Sequence, residues 1–180
     1  MKRAPSLRPL LACAAMAALL GVVGFCMPAC VSYTLNGSAL DYTKYRTIRV
    51  SDFPIRAALV YPPLQQVFEN RLMDQIQAQT RLRIVPGSDA NLEMTGEITG
   101  YSLSPQAVGQ DAYATQTRLT ITVRLKYTDH INSANDIDQT FSAYRDFSSD
   151  LMLTDVQDEL CQQISEELVD LIFNATLGNW

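Results

Sequence analysis

The chain has 180 residues, of which 47% are hydrophobic and 18% charged, with 14 Lys and Arg against 19 Asp and Glu. Such a length holds one domain beside a short extra segment, and such a hydrophobic fraction is enough for one core. The net charge of −5 excludes the basic footprint that nucleic-acid binding needs.

The chain opens with Lys2, Arg3 and Arg8, followed by an uncharged run from Leu10 through Cys30. A positive segment before an apolar one is the form of a secretory signal. A membrane-spanning helix is the alternative, because about 20 uncharged residues can cross a bilayer. The small-residue composition and the break at Met27-Pro28-Ala29-Cys30 favour a removed signal. That ending resembles a bacterial lipoprotein signal, with Ala29 before the cysteine that becomes lipidated, although Met27 stands where leucine is usual. Cys30 is the preferred lipidation site. Cys26 remains the alternative, but Phe25 is a poor residue at a cleavage point. The expected organisation is a signal over 1–29, a lipidated tether over 30–45 and one domain over 46–180.

Cysteine use agrees with this reading. Cys13 and Cys26 leave with the signal, Cys30 is acylated, and Cys161 has no disulfide partner. Beside Leu160 and Ile164 in a helical pattern, Cys161 reads as a buried, inert thiol. Losing Lys2, Arg3 and Arg8 leaves 11 basic against 19 acidic residues, a net charge of −8, so any anionic ligand must meet a local basic patch.

After a polar stretch to Tyr45, Thr47 to Asp52 forms a first strand, which Phe53-Pro54 stops. Pro62-Pro63 opens an amphipathic helix through Gln79, with Leu64, Val67, Phe68, Leu72 and Ile76 on one stripe. Leu82 to Val85 is a short strand, and strand, helix, strand predicts a right-handed parallel crossover. Leu92 to Ser104 is a long strand in which Gly96 and Gly100 suggest a bulge or a close backbone approach.

Thr117 to Thr128 is the clearest strand. Leu119, Ile121, Val123, Leu125 and Tyr127 alternate with Arg118, Thr120, Thr122, Arg124 and Lys126. It should pair antiparallel with the preceding strand. A last strand follows over Gln139 to Phe147, and Thr154-Asp155-Val156-Gln157 has the form of a capping box. The helix it starts buries Val156, Leu160, Cys161, Ile164, Leu168, Leu171, Ile172 and Ala175, and turns Asp158, Glu159, Glu166, Glu167 and Asp170 outward. The fold class is α/β in the α+β sense: a two-layer sandwich, with two amphipathic helices on one face of a mixed four- to five-stranded sheet. The other face is left bare.

Catalysis has little to stand on: His130 is the sole histidine, beside Asp129 in a polar loop, so no catalytic residue is assigned. Metal ligands at zinc spacing are lacking, and Asn132, Asn135, Asp136 and Asp138 do not have EF-hand spacing. No cofactor is implied. What remains is the polar sheet face, with Arg118, Arg124 and Lys126 nominated by geometry to bind a partner and Glu97, Thr99 and Tyr101 as expected neighbours. It reads either as an ordinary solvated face or as a wall that meets another polar surface.

Several segments carry a resemblance: Phe53 to Pro62 (FPIRAALVYP), Gly96 to Ala107 (GEITGYSLSPQA), Arg118 to Val123 (RLTITV), Asp158-Glu159-Leu160 and the terminal Asn179-Trp180. Together they resemble the lipopolysaccharide-assembly lipoprotein family LptE, in its divergent single-domain branch. The resemblance implies a lipoprotein anchored to the outer membrane on its periplasmic face. Such a protein plugs an LptD-type β-barrel and helps lipopolysaccharide reach the outer leaflet. It also implies the same two-layer fold and no enzymatic activity. A lipid-anchored periplasmic module that binds a small ligand or another envelope protein is the alternative.

Overall fold

A computed structural model describes residues 40–59, 61–87, 89–107 and 114–178, all within the compact unit Asn36–Trp180. Cys26, Cys30 and Trp180 lie outside the described residues. The elements run β1 (Thr47–Val50), α1 (Pro63–Gln79), β2 (Arg83–Ile84), β3 (Leu92–Ala107), β4 (Ala114–Asp129), β5 (Ile137–Ser148) and α2 (Leu153–Thr176). The five strands form one mixed sheet in the order β2-β1-β3-β4-β5. β1 is parallel to both β2 and β3, whereas β3, β4 and β5 are antiparallel neighbours. This is the expected two-layer α+β arrangement.

Alternation in β4 sorts the two faces. Leu119, Ile121, Val123, Leu125 and Tyr127 are buried, together with Ile48, Leu92, Met94, Ile98, Phe141 and Ala143 from the neighbouring strands. Leu64, Phe68, Leu72 and Ile76 of α1 and Leu160, Ile164, Leu168 and Ile172 of α2 join them in one cluster. Each fully buried side chain of this size contributes about 1.5–3 kcal/mol relative to exposure, so the helix layer is held mainly by this apolar seam.

Pro62-Pro63 begins α1 as expected, with no side-chain cap, and the Thr80 hydroxyl closes its last turn by donating to the Ile76 carbonyl at 2.7 Å. Two expectations for α2 are corrected. No capping box forms: Met152 is the cap residue, with no side-chain cap hydrogen bond, and the Thr154 hydroxyl donates instead to Asp155. The helix starts two residues too early for Thr154 to cap it. The buried stripe also differs, for Leu171 is 41% exposed while Val169 and Phe173 are buried. α2 packs on α1 as well as on the sheet, which rotates the covered stripe towards α1.

At one end of the sheet, the chain entering β1 is tied to the β4–β5 loop by Asp129, which is 2% exposed. Its carboxylate accepts from the Tyr45 hydroxyl (2.9 Å), the Ile131 and Asn132 N–H groups (2.8 and 2.9 Å) and the Asn135 amide (2.8 Å). Leu40 and Tyr45, in the stretch read as the end of a tether, are buried in the core. Asn132 and Asn135 therefore serve loop structure, and among the described residues no cluster of His, Cys, Asp or Glu has the form of a metal site.

Candidate functional site

The sheet face opposite the helices is built by the even-numbered residues of β4 and β5. Arg118, Thr120, Thr122, Arg124 and Lys126 stand beside Asp138, Thr140, Ser142, Tyr144 and Asp146. Thr95, Glu97, Thr99, Ser102 and Ser104 of β3 complete it. Hydroxyl side chains fill the middle, where the Thr122 and Ser142 oxygens lie 3.2 Å apart. The surface there is low and polar, and the charged groups stand towards its two ends.

At one end Arg118 faces Asp146 directly and binds it through two parallel hydrogen bonds of 2.7 and 2.9 Å. Its guanidinium also lies 3.7 Å from the ring centre of Tyr144, a cation–π contact. At the other end Arg124 stands opposite Thr140 yet reaches diagonally to Asp138, with both bonds at 3.0 Å. These hydrogen bonds hold the Asp138 and Asp146 carboxyls below their ordinary pKa and raise both arginines above theirs. The two arginines are six positions apart along β4, a span of about 20 Å.

Lys126 stands opposite Asp138 but makes no ion pair within the described residues; Arg124 has taken that carboxylate. Thr95, Glu97, Arg124, Lys126 and Asp138 line a shallow hollow of about 270 Å³, with the Gly96 backbone at its edge. Beyond it, Glu93 accepts from Arg49 and lies 3.3 Å from His130 Nε2. The Arg49 hydrogen bond is the chief reason why the Glu93 carboxyl sits below its ordinary pKa. His130 is thus a hydrogen-bond neighbour of the Arg49–Glu93 pair.

The structure brings Arg124 and Lys126 together and leaves Arg118 at the far end. Of the expected neighbours, Glu97 and Thr99 lie on this face, but Tyr101 does not. A register shift between Ile98 and Gly100 leaves Thr99 as an extra residue, so the alternation of β3 reverses beyond it. Tyr101 is consequently opposite Ile121 and 6% exposed, with its hydroxyl accepting from Gln157 of α2 at 2.7 Å. From the sequence, Asp138 stands out only among the oxygen donors of the loop, and Tyr144 and Asp146 do not stand out, although all three share one parity with Thr140 and Ser142.

Among the described residues no helix is long and apolar enough to cross a membrane. The fold is similar to a minor lipoprotein from Acinetobacter baumannii, at a TM-score of 0.51 and 16% identity, covering 75% of this chain and 94% of that one. It is also similar to the hypothetical protein CT253 from Chlamydia trachomatis, at a TM-score of 0.50 and 10% identity, covering 75% and 99%. No curated protein matches the sequence. The sequence profile described as LptE, lipopolysaccharide-assembly, matches residues 45–176, a range that holds all five strands and both helices. A match of that extent places this chain in the LptE lipopolysaccharide-assembly family.

Proposed function

We propose that this chain is a lipoprotein of lipopolysaccharide assembly, anchored through Cys30 to the periplasmic face of the outer membrane and seated in an LptD-type β-barrel. There it supports the barrel and helps lipopolysaccharide into the outer leaflet. The observation that carries this reading is the sheet face that no described element covers, with hydroxyls at its centre and bidentate Arg–Asp pairs towards its ends. The lumen of a membrane barrel is polar. A soluble plug must therefore present a polar wall to it, and this sheet does so without exposing its core. Lys126, which makes no ion pair among the described residues, and the adjoining Arg124 are the groups best placed to meet a phosphate or an acidic lumen residue. The role is one of binding and placement, without catalysis.

The test is affinity purification of the full-length protein from detergent-solubilised envelope. A large β-barrel in stoichiometric amount is the expected result. Recovery of the protein alone, or with soluble periplasmic partners only, overturns the plug reading.

A further inference from the structure

β5 is a free edge. It pairs with β4 from end to end in unbroken register, and among the described residues no strand lies on its other side. Natural proteins guard such edges with proline, bulges or unpaired charges, because the exposed N–H and C=O groups are a template for another strand. The opposite edge, β2, is guarded by its shortness, only 2 residues. β5 has 12 residues, no proline and no bulge. Its charged side chains are Asp138, Arg145 and Asp146, and each is engaged within the molecule, by Arg124, Glu167 and Arg118 respectively. Gln139 to Tyr144 between them is uncharged. Proline and bulges are thus absent from this edge, and its three charges are drawn back into the molecule by their partners.

Along the helix side of the same edge runs a groove of about 340 Å³, lined by Arg145, Gln163, Glu166, Glu167 and Asp170. Arg145 is held there by Glu167, while Arg71 of α1 stands 3.9 Å from Glu166 and the Gln75 amide donates to Asp170 at 2.9 Å, so three carboxylates outnumber two cations. On the other side the edge is bordered by Thr140, Ser142 and Tyr144, all exposed. A strand laid on β5 would send alternate side chains to these two borders.

We propose that β5 accepts an extended strand from another polypeptide, one that carries lysine or arginine at the alternate positions facing the groove between β5 and α2. Main-chain hydrogen bonds provide the attachment, and the carboxylates select the sequence. A second copy of this chain is a poor occupant: symmetric β5–β5 pairing brings the Glu166, Glu167 and Asp170 faces of two α2 helices towards each other.

The experiment uses the full-length protein in detergent with two synthetic peptides of roughly ten residues, one alternating lysine and threonine, the other glutamate and threonine. The lysine peptide should bind and should slow amide exchange within Gln139–Tyr144. The glutamate peptide should bind at least about tenfold more weakly. Glu166→Lys with Asp170→Lys, both exposed positions, should reverse that preference with the fold intact. Methylating the lysine peptide's backbone amides on alternate residues, in either register, should abolish or weaken binding in one register. Equal binding in both registers overturns the proposal, since charge alone then explains adhesion. Unchanged exchange in β5, or sedimentation as a dimer with β5 protected, overturns it as well.

Discussion

The ring of Phe53 occupies the space that a side chain on Gly96 would need. A Cβ placed at Gly96 meets the Phe53 ring on one side and the Arg124 carbonyl oxygen on the other. Phe53 is fully buried and packs edge-on against Phe68 of α1, with ring centres 5.1 Å apart. The close backbone approach that Gly96 suggests in the sequence is thus the socket through which the β1–α1 connection locks onto the sheet. Gly96→Ala should cost about 3 kcal/mol or more, because both the ring and a neighbouring strand must shift. Phe53→Ala should cost about 3–5 kcal/mol. Since the two share one space, the double variant should be less unstable than the sum of the single ones. Urea denaturation of the four proteins reads the coupling; strict additivity would contradict the socket.

The strands, both helices and the side of the sheet that they cover were legible because β4 alternates without fault and α1 and α2 carry regular stripes. Beyond that, local pattern fails where tertiary contacts decide. Tyr101 has the parity of an outward residue when counted from Glu97, and only the extra residue at Thr99 turns it inward to Gln157. Asp138 stands opposite Lys126, so strand pairing alone assigns it to the wrong cation. The planar guanidinium of Arg124 takes it diagonally because two parallel bonds suit a carboxylate better than one point charge does. Thr154 fits a capping box in sequence, yet α2 begins at Leu153.

Asp129 should be a weak point for acid. Burial raises its carboxyl pKa, but the hydrogen bonds from Asn135, Asn132, Ile131 and Tyr45 outweigh that and hold it below its ordinary 3.8. A depressed carboxyl supplies stability that is present above the unfolded pKa and lost as pH falls through the lower folded value. Wild-type stability should therefore fall steeply below about pH 4. Asp129→Ala should cost about 3 kcal/mol at pH 7, because buried donors lose their acceptor. The same variant should show a shallower loss in acid. An equal acid slope for both proteins, measured by denaturation at a series of pH values, would assign the acid sensitivity elsewhere.

Cys161 should resist chemistry in the folded state. It is fully buried, and burial pushes its thiol up to about 11. Maleimide at pH 8 should label it slowly without denaturant and at once in guanidinium. Rapid labelling of the native protein would mean that α2 lifts readily from the sheet.

Cys30 should govern membrane attachment. Each buried methylene of an acyl chain contributes about 0.8 kcal/mol, and stable anchoring takes more than one chain. Cys30→Ala should move the protein to the soluble fraction or leave the signal uncleaved, whereas Cys26→Ala should fractionate as wild type. The reverse pattern would transfer the lipid to Cys26.

The sharpest division between stability and recognition lies on β4, between Val123 and the cations beside it. Val123 is fully buried against the helix layer, so Val123→Asp places an unpaired carboxylate in the core and should unfold the domain. Arg124 and Lys126 point the other way and are exposed. Replacing both by Glu removes the Arg124–Asp138 pair and sets like charges beside Asp138. On an exposed face that should cost only about 1 kcal/mol or less. The melting temperature should move by a few degrees, while recovery of the barrel and binding of purified lipopolysaccharide should fall, because each new carboxylate repels phosphate or an acidic lumen wall. The loss should diminish as added salt screens the contact. A parallel variant with Arg124→Gln and Lys126→Gln should lie between the two, since it removes attraction without adding repulsion. Full binding by the double reversal, with the fold intact, would return this face to ordinary solvated surface. A collapse of stability with binding would instead show that the face is covered by part of the protein itself.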